Sequence, residues 1–199
     1  MLRYQLYALV FVLTILFFAR ASAEIVKVEV QWQPGTCPMS CAQLLGTQFQ
    51  KIPGVAEILM NQPGGHVELR WKPNFPFAYQ QVKSAMQAAG PGIRDIRVKV
   101  RGTVHFDQQT ASLVSVGDNT TFFLLGQLQA KQNQLAVYYN VESHPLSQAT
   151  LTRLVEGAQK NQIAVIEGPL FEPWRYPYMW LIVDKLQFVD STSTNQSQP

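Results

Sequence analysis

Hydrophobic and polar residues alternate at several places in this chain, and stretches of helical periodicity separate these segments. In the first, Val26, Val28, Val30 and Trp32 are apolar and the residues between them are polar, which is typical of a half-buried strand. Five more elements are predicted before residue 102: a helix from Cys37 or Met39 to about residue 52, strands at 55–60 and 66–71, a helix at 77–89 and a strand at 93–100.

This order of elements predicts an α+β fold. Strand, helix, strand, strand, helix, strand is the split βαβ pattern, so we expect residues 24–101 to form a ferredoxin-like βαββαβ domain. In that topology the first strand runs up to the loop after it, and the turn at 61–65 lies at the same end of the sheet.

A different periodicity begins at Gly102. Short apolar runs separated by turn residues are followed by one helical stretch and two further strands; they lie at 103–105, 113–116, 121–125, 135–141, 146–160, 163–166 and 179–189. Residues 102–189 are therefore predicted to form a β-rich domain with one helix. A partly open barrel of the OB kind fits this order, and a β-sandwich with a helix fits nearly as well. The small, polar tail at 190–199 is expected to be disordered.

The first 23 residues have the composition of a signal peptide. Arg3 precedes a nearly unbroken apolar stretch from Leu6 to Ala19, which is shorter than the roughly 20 residues that span a bilayer. Ala21-Ser22-Ala23 then offers a small-x-small cleavage site. We expect a periplasmic or secreted protein after cleavage, with no membrane span in the mature chain. An uncleaved segment would instead anchor the protein in the membrane.

Charge and motifs restrict the classes of function. The chain has 16 basic and 13 acidic residues, and removal of 1–23 takes away Arg3 and Arg20, which leaves 14 basic residues. This balance favours neither nucleic acid nor an anionic membrane as a partner. The sequence contains no nucleophile elbow, phosphate-binding glycine loop or two-histidine metal helix. We therefore expect no enzymatic activity, apart from a redox-active thiol pair.

That pair is Cys37 and Cys41, the two cysteines of the chain, which lie in one loop after the first strand. A helix N-terminus stabilises thiolates, and thiolates bind soft ions such as Cu(I). Residues four apart on a helix have Cα atoms roughly 6 Å apart, which also lies within the range for a disulfide. The spacing thus leaves open a metal site, a disulfide, and reduced thiols without a specific role.

The loop also carries a resemblance to a known family. Pro34 to Cys41, the run Ile52-Pro53-Gly54-Val55, and the stretch from Val82 to Gly90 before a last strand resemble the heavy-metal-associated (HMA-type) domains of copper chaperones and metal-transporting ATPases, over residues 25–102. The resemblance implies that Cys37 and Cys41 bind a soft metal ion, typically Cu(I), and pass it to a protein that docks on the same loop. The family has two residues between its cysteines, whereas this chain has three.

Two further residues are candidate ligands. Met39 lies between the cysteines, where it can bind the ion or pack under the loop. His66 starts the strand predicted to pair with the first strand, but alternation places it on the face of Glu68 and Arg70, away from the helices.

These residues lead to one hypothesis and two alternatives. The leading hypothesis is a non-enzymatic envelope protein that binds or transfers a soft metal ion and docks an envelope protein partner through its C-terminal domain. One alternative is a thiol–disulfide redox protein that uses the same cysteines. The other is an interaction or scaffold protein of the envelope that binds no metal.

Overall fold

The structure is a computed structural model that describes residues 25–107, 110–128 and 140–190. The predicted signal peptide, most of the predicted strand at 135–141 and all but the first residue of the predicted tail lie outside the described residues. Within the described ranges, no helix is long and apolar enough to span a membrane.

The described residues form nine strands and three α-helices, so the prediction of a mixed helix-and-sheet protein is confirmed. The strands are β1 (Ile25–Gln31), β2 (Val55–Asn61), β3 (His66–Trp71), β4 (Asp95–Asp107), β5 (Thr110–Ser115), β6 (Thr121–Leu125), β7 (Ile163–Pro169), β8 (Met179–Ile182) and β9 (Lys185–Val189). The helices are α1 (Met39–Gln50), α2 (Tyr79–Ala89) and α3 (Gln148–Gln159), and Val141–Ser143 forms one turn of 3-10 helix.

The first six elements lie close to their predicted positions. Their four strands pair antiparallel in the order β2-β3-β1-β4. Alternate residues of β1, β3 and β4 are buried, and the buried faces of α1 and α2 belong to the same hydrophobic core. The period-two pattern therefore indicates the core-facing side of β3, of β4 and of β1 from Val28 onward. At the start of β1 the expectation is wrong: Val26 is exposed and Ile25 is buried, because the register shifts at a bulge between Ile25 and Lys27.

Strand β4 joins the two halves of the chain. It runs without interruption through Gly102, so the predicted strands at 93–100 and 103–105 are one element. β1 pairs with residues 95–100 of β4, β7 with 97–102, and β5 with 102–107. Because β1 and β7 pair with overlapping residues of β4, they lie on its opposite edges. The nine strands thus form one connected sheet.

The second half also differs from expectation at 179–189, which was predicted as a single strand. The structure has two strands there, since β8 pairs parallel to β6 while β9 pairs antiparallel to β7. Val183 N–H donates to Leu125 O and Asp184 N–H donates to Glu167 O, so the chain changes partners at these two residues. Helix α3 begins after Ser147, whose side chain accepts a hydrogen bond from Thr150 N–H, as expected for an N-cap.

One hydrophobic core extends through both halves. Phe77, which precedes α2, stacks on Phe122 of β6 with ring centroids 6.4 Å apart. Leu154 of α3 and Ile166 of β7 are fully buried in the same cluster as Leu45 of α1. Helices and sheet are therefore held mainly by apolar burial, which contributes roughly 25 cal/mol per Å² of buried apolar surface.

Candidate metal and thiol site

Cys37 and Cys41 form a disulfide at the start of α1. Their sulfurs are 2.01 Å apart and their Cα atoms 5.2 Å apart. Of the alternatives that the spacing left open, the structure contains the disulfide. A metal ion binds thiolates, so metal binding by this pair requires that the bond first be reduced.

The local sequence places both cysteines at a helix N-terminus. Pro38 is the N-cap residue, with extended backbone dihedral angles, so Cys37 lies just before the helix and Cys41 lies in its first turn. No side chain caps this end, and the first turn contains no acidic residue. No charged residue occurs anywhere between Gln33 and Leu44. The partial positive charge of the helix N-terminus is therefore available to thiolates.

The turn of the β2–β3 hairpin (residues 62–65) packs against the cysteine loop (residues 34–41). Gln62 Nε2 donates a hydrogen bond of 2.9 Å to the backbone oxygen of Cys37. Beside it, Trp32 N–H donates to Gly65 O at 2.8 Å. A Cβ atom at Gly65 would lie 2.8 Å from Trp32 O, so the two backbones approach as closely as glycine allows. This turn fixes the position of Cys37.

The candidate residues differ in exposure. Cys37 is only 1% exposed and belongs to the hydrophobic core. Cys41 is half-buried at the edge of that core, and Met39 is 64% exposed. Met39 therefore does not pack under the loop, and its side chain lies at the surface.

His66 lies on the other face of the sheet. It is half-buried and pairs with Gln31 on one side and Asn61 on the other. Its neighbours on that face, Glu68 and Arg70, form ion pairs with Lys27 and Glu57 respectively. The structure thus brings Cys37 and Cys41 together, leaves Met39 exposed at the start of the same helix, and places His66 on the other face of the sheet.

The donor set fits a soft ion with few protein ligands. Among the described residues, no group of three or more His, Cys, Asp or Glu is placed to hold a metal ion. Structural Zn²⁺ sites use four protein ligands, whereas thiolates and thioethers select Cu(I). Two cysteine thiolates, present once the disulfide is reduced, match Cu(I) better than Zn²⁺.

Sequence reasoning missed Gln62 and Gly65, although the strand directions placed the hairpin turn and the cysteine loop at the same end of the sheet. The strand directions alone therefore indicated that residues of this turn contact the cysteine loop.

Comparisons with known proteins gave no assignment. No protein-family model matches the chain, and no curated protein matches it. The resemblance to HMA-type domains therefore rests on the residues that carry it.

Proposed function

We propose that this is an exported, non-enzymatic protein that binds a soft metal ion, Cu(I) in the first place, through the thiolates of Cys37 and Cys41 after their disulfide is reduced. The observation that supports the proposal is the placement of two sulfurs within bonding distance of each other at an uncapped helix N-terminus. Export follows from the composition of residues 1–23 and places the protein in the periplasm or outside the cell.

The backbone around the pair supports a metal site that needs little rearrangement. Cys41 is held by the first turn of α1, and Cys37 is held by the hydrogen bond from Gln62 to its carbonyl oxygen. After reduction both Cα atoms can stay near their separation of 5.2 Å, while rotation about the side-chain bonds moves the sulfurs apart to admit an ion. The ion would be held by two thiolates, and we propose the exposed Met39 as a further ligand.

The fold fits the same proposal. The sheet order β2-β3-β1-β4, with α1 and α2 in the core on one face, supports an HMA-type, ferredoxin-like unit over residues 25–101. For residues 102–189 we propose an OB-like unit that docks an envelope protein partner, although strand β4 is shared between the two units.

The test is Cu(I) binding by protein that lacks residues 1–23 and has been reduced. We expect about one Cu(I) per chain in competition with a weak Cu(I) chelator. Cys37→Ser and Cys41→Ser should each abolish competition, because one thiolate is lost. His66→Ala is the matched control and should bind as the parent does, since His66 lies on the other face of the sheet. Failure of the reduced parent to compete with the chelator would refute the metal proposal.

A thiol–disulfide redox function is the second candidate, and the disulfide itself favours it. A redox titration separates the two. Structural disulfides have reduction potentials below about −300 mV, whereas exchange-active pairs lie at about −270 to −120 mV. A potential in the higher range without Cu(I) binding would support the redox function. The absence of both properties would favour the interaction or scaffold function.

A further inference from the structure

We infer that thiol–disulfide exchange opens the pair at one sulfur: a low-molecular-weight thiolate attacks Sγ of Cys41, and Cys37 departs as the buried thiolate. The inference rests on the proposed function, because it describes how the closed pair becomes the dithiol that binds the metal. It assigns a modification site, Cys41, and a class of reactant, the monothiols.

The first support is the difference in burial. Cys37 is 1% exposed, whereas Cys41 is half-buried in the first turn of α1. Exchange requires the attacking thiolate to reach one sulfur of the disulfide, so access favours attack at the more exposed residue.

The second support is the hydrogen bonding that holds the backbone at Cys37. Gln62 Nε2 donates to the carbonyl oxygen of Cys37 at 2.9 Å, and Trp32 N–H donates to Gly65 O at 2.8 Å. These bonds hold the loop while Cys37 lies in the core, 1% exposed, so a thiolate reaches its sulfur only if the loop moves. Cys41 takes part in neither bond and is half-buried.

The surface around Cys41 suits an incoming anion. Its neighbours Met39 and Ser40 are exposed, and no acidic side chain lies in the first turn of α1 to repel a thiolate. The helix N-terminus attracts negative charge at the same place.

The reaction balances with two equivalents of a monothiol, written R–SH. In the first step R–S⁻ attacks Sγ of Cys41; the R–S to Cys41 bond forms, the Cys37–Cys41 bond breaks, and the electron pair leaves on Cys37. In the second step another R–S⁻ attacks the sulfur of R, which gives R–S–S–R and the Cys41 thiolate. The disulfide of the protein is reduced by two electrons, and two R–SH are oxidised to R–S–S–R.

The reverse of the first step is intramolecular. The Cys37 thiolate remains beside the mixed disulfide, because the backbone bonds that hold the loop do not change, and proximity makes ring closure fast. The mixed disulfide is therefore short-lived in the parent protein and should persist when Cys37 is replaced.

The experiment treats the oxidised protein with excess glutathione, stops exchange with acid, labels the remaining thiols with N-ethylmaleimide in denaturant and locates both groups by tandem mass spectrometry. We expect glutathione on Cys41 and maleimide on Cys37, in excess over the reverse pattern by on the order of tenfold. Glutathione on Cys37 in equal or greater amount would overturn the inference.

Single-cysteine variants supply the second arm. Cys37→Ser leaves Cys41 and Cys41→Ser leaves Cys37, and each is mixed with glutathione disulfide. Cys41 should form the mixed disulfide faster by on the order of tenfold, because it is the accessible thiol; equal rates would contradict the inference. Circular dichroism checks that both variants are folded. Neither arm contains metal, so a reduced parent that binds no Cu(I) would refute the proposed function and leave the site of attack standing.

Discussion

The close approach of the hairpin turn to the cysteine loop can be tested by adding one methyl group, in the substitution Gly65→Ala. Gly65 has φ +66°, in the left-handed region, and its new Cβ would lie 2.8 Å from Trp32 O and 3.1 Å from Pro34 N. These neighbours are backbone atoms, so no side-chain rotation can relieve the contact. The turn must move away from the loop, which lengthens the 2.8 Å hydrogen bond from Trp32 N–H to Gly65 O.

Gly35→Ala is the matched control, because it carries the conformational cost of alanine at positive φ without the steric contact of the added Cβ atom. Gly35 also has positive φ, +84°, but nothing lies within 4 Å of its added Cβ. Alanine at positive φ costs about 1 to 2 kcal/mol, which should be the whole effect at Gly35. Overpacking against fixed atoms adds typically 1 to 3 kcal/mol, so we expect Gly65→Ala to lower the free energy of unfolding by about 2 to 5 kcal/mol.

The assay is urea unfolding of the oxidised protein, followed by tryptophan fluorescence. The free energies of unfolding are compared with one common dependence on urea concentration. Gly65→Ala should lower the unfolding midpoint clearly more than Gly35→Ala. Equal losses for the two variants would show that the turn does not press on the loop.

Two further predictions concern other parts of the structure. Burial raises the pKa of Tyr79 above its ordinary value of 10.0, so the folded state keeps the phenolic proton when the unfolded chain has already lost it. Stability should fall as pH rises above 10, and urea midpoints from about pH 8 to about pH 11 should fall less steeply in Tyr79→Phe than in the parent; identical slopes would contradict this reasoning. Arg97 of β4 forms an ion pair with Asp184, which lies between β8 and β9, so Asp184→Asn should cost about 1 kcal/mol at low salt and less in about 1 M NaCl. A loss in urea unfolding that does not change with salt would show that the effect is not electrostatic.

Most local elements could be predicted from periodicity, because burial of one face leaves a period of two in strands and of 3.6 in helices. β3 was predicted with its observed bounds, His66–Trp71. Gly102 shows where this method fails. A glycine and a change of pattern predicted that a strand ends there. In the structure, however, a Cβ atom at Gly102 would lie 2.3 Å from Val114 O of the paired strand. The glycine permits close approach of a paired strand rather than ending one.

The candidate site, too, was predictable from the sequence only in part. The positions of Cys37 and Cys41 at the start of a helix were determined by sequence, because a strand, a Pro-Gly turn and a helical pattern follow one another locally. Spacing alone did not decide between a disulfide and a metal pair, since both tolerate the same Cα separation. It also gave no measure of how far each sulfur is exposed.

The sequence by itself thus determined the helices and strands of residues 25–101 and the placement of two cysteines at one helix N-terminus, because each depends on neighbours within a few residues. Only the tertiary structure decided that Cys37 is buried while Cys41 is half-buried, and that β4 connects both halves of the sheet. The hydrogen bond from Gln62 to Cys37 joins residues that are 25 positions apart in the sequence, and β4 pairs with β7, which lies far along the chain. Such contacts arise from packing of the whole chain, which local periodicity does not encode.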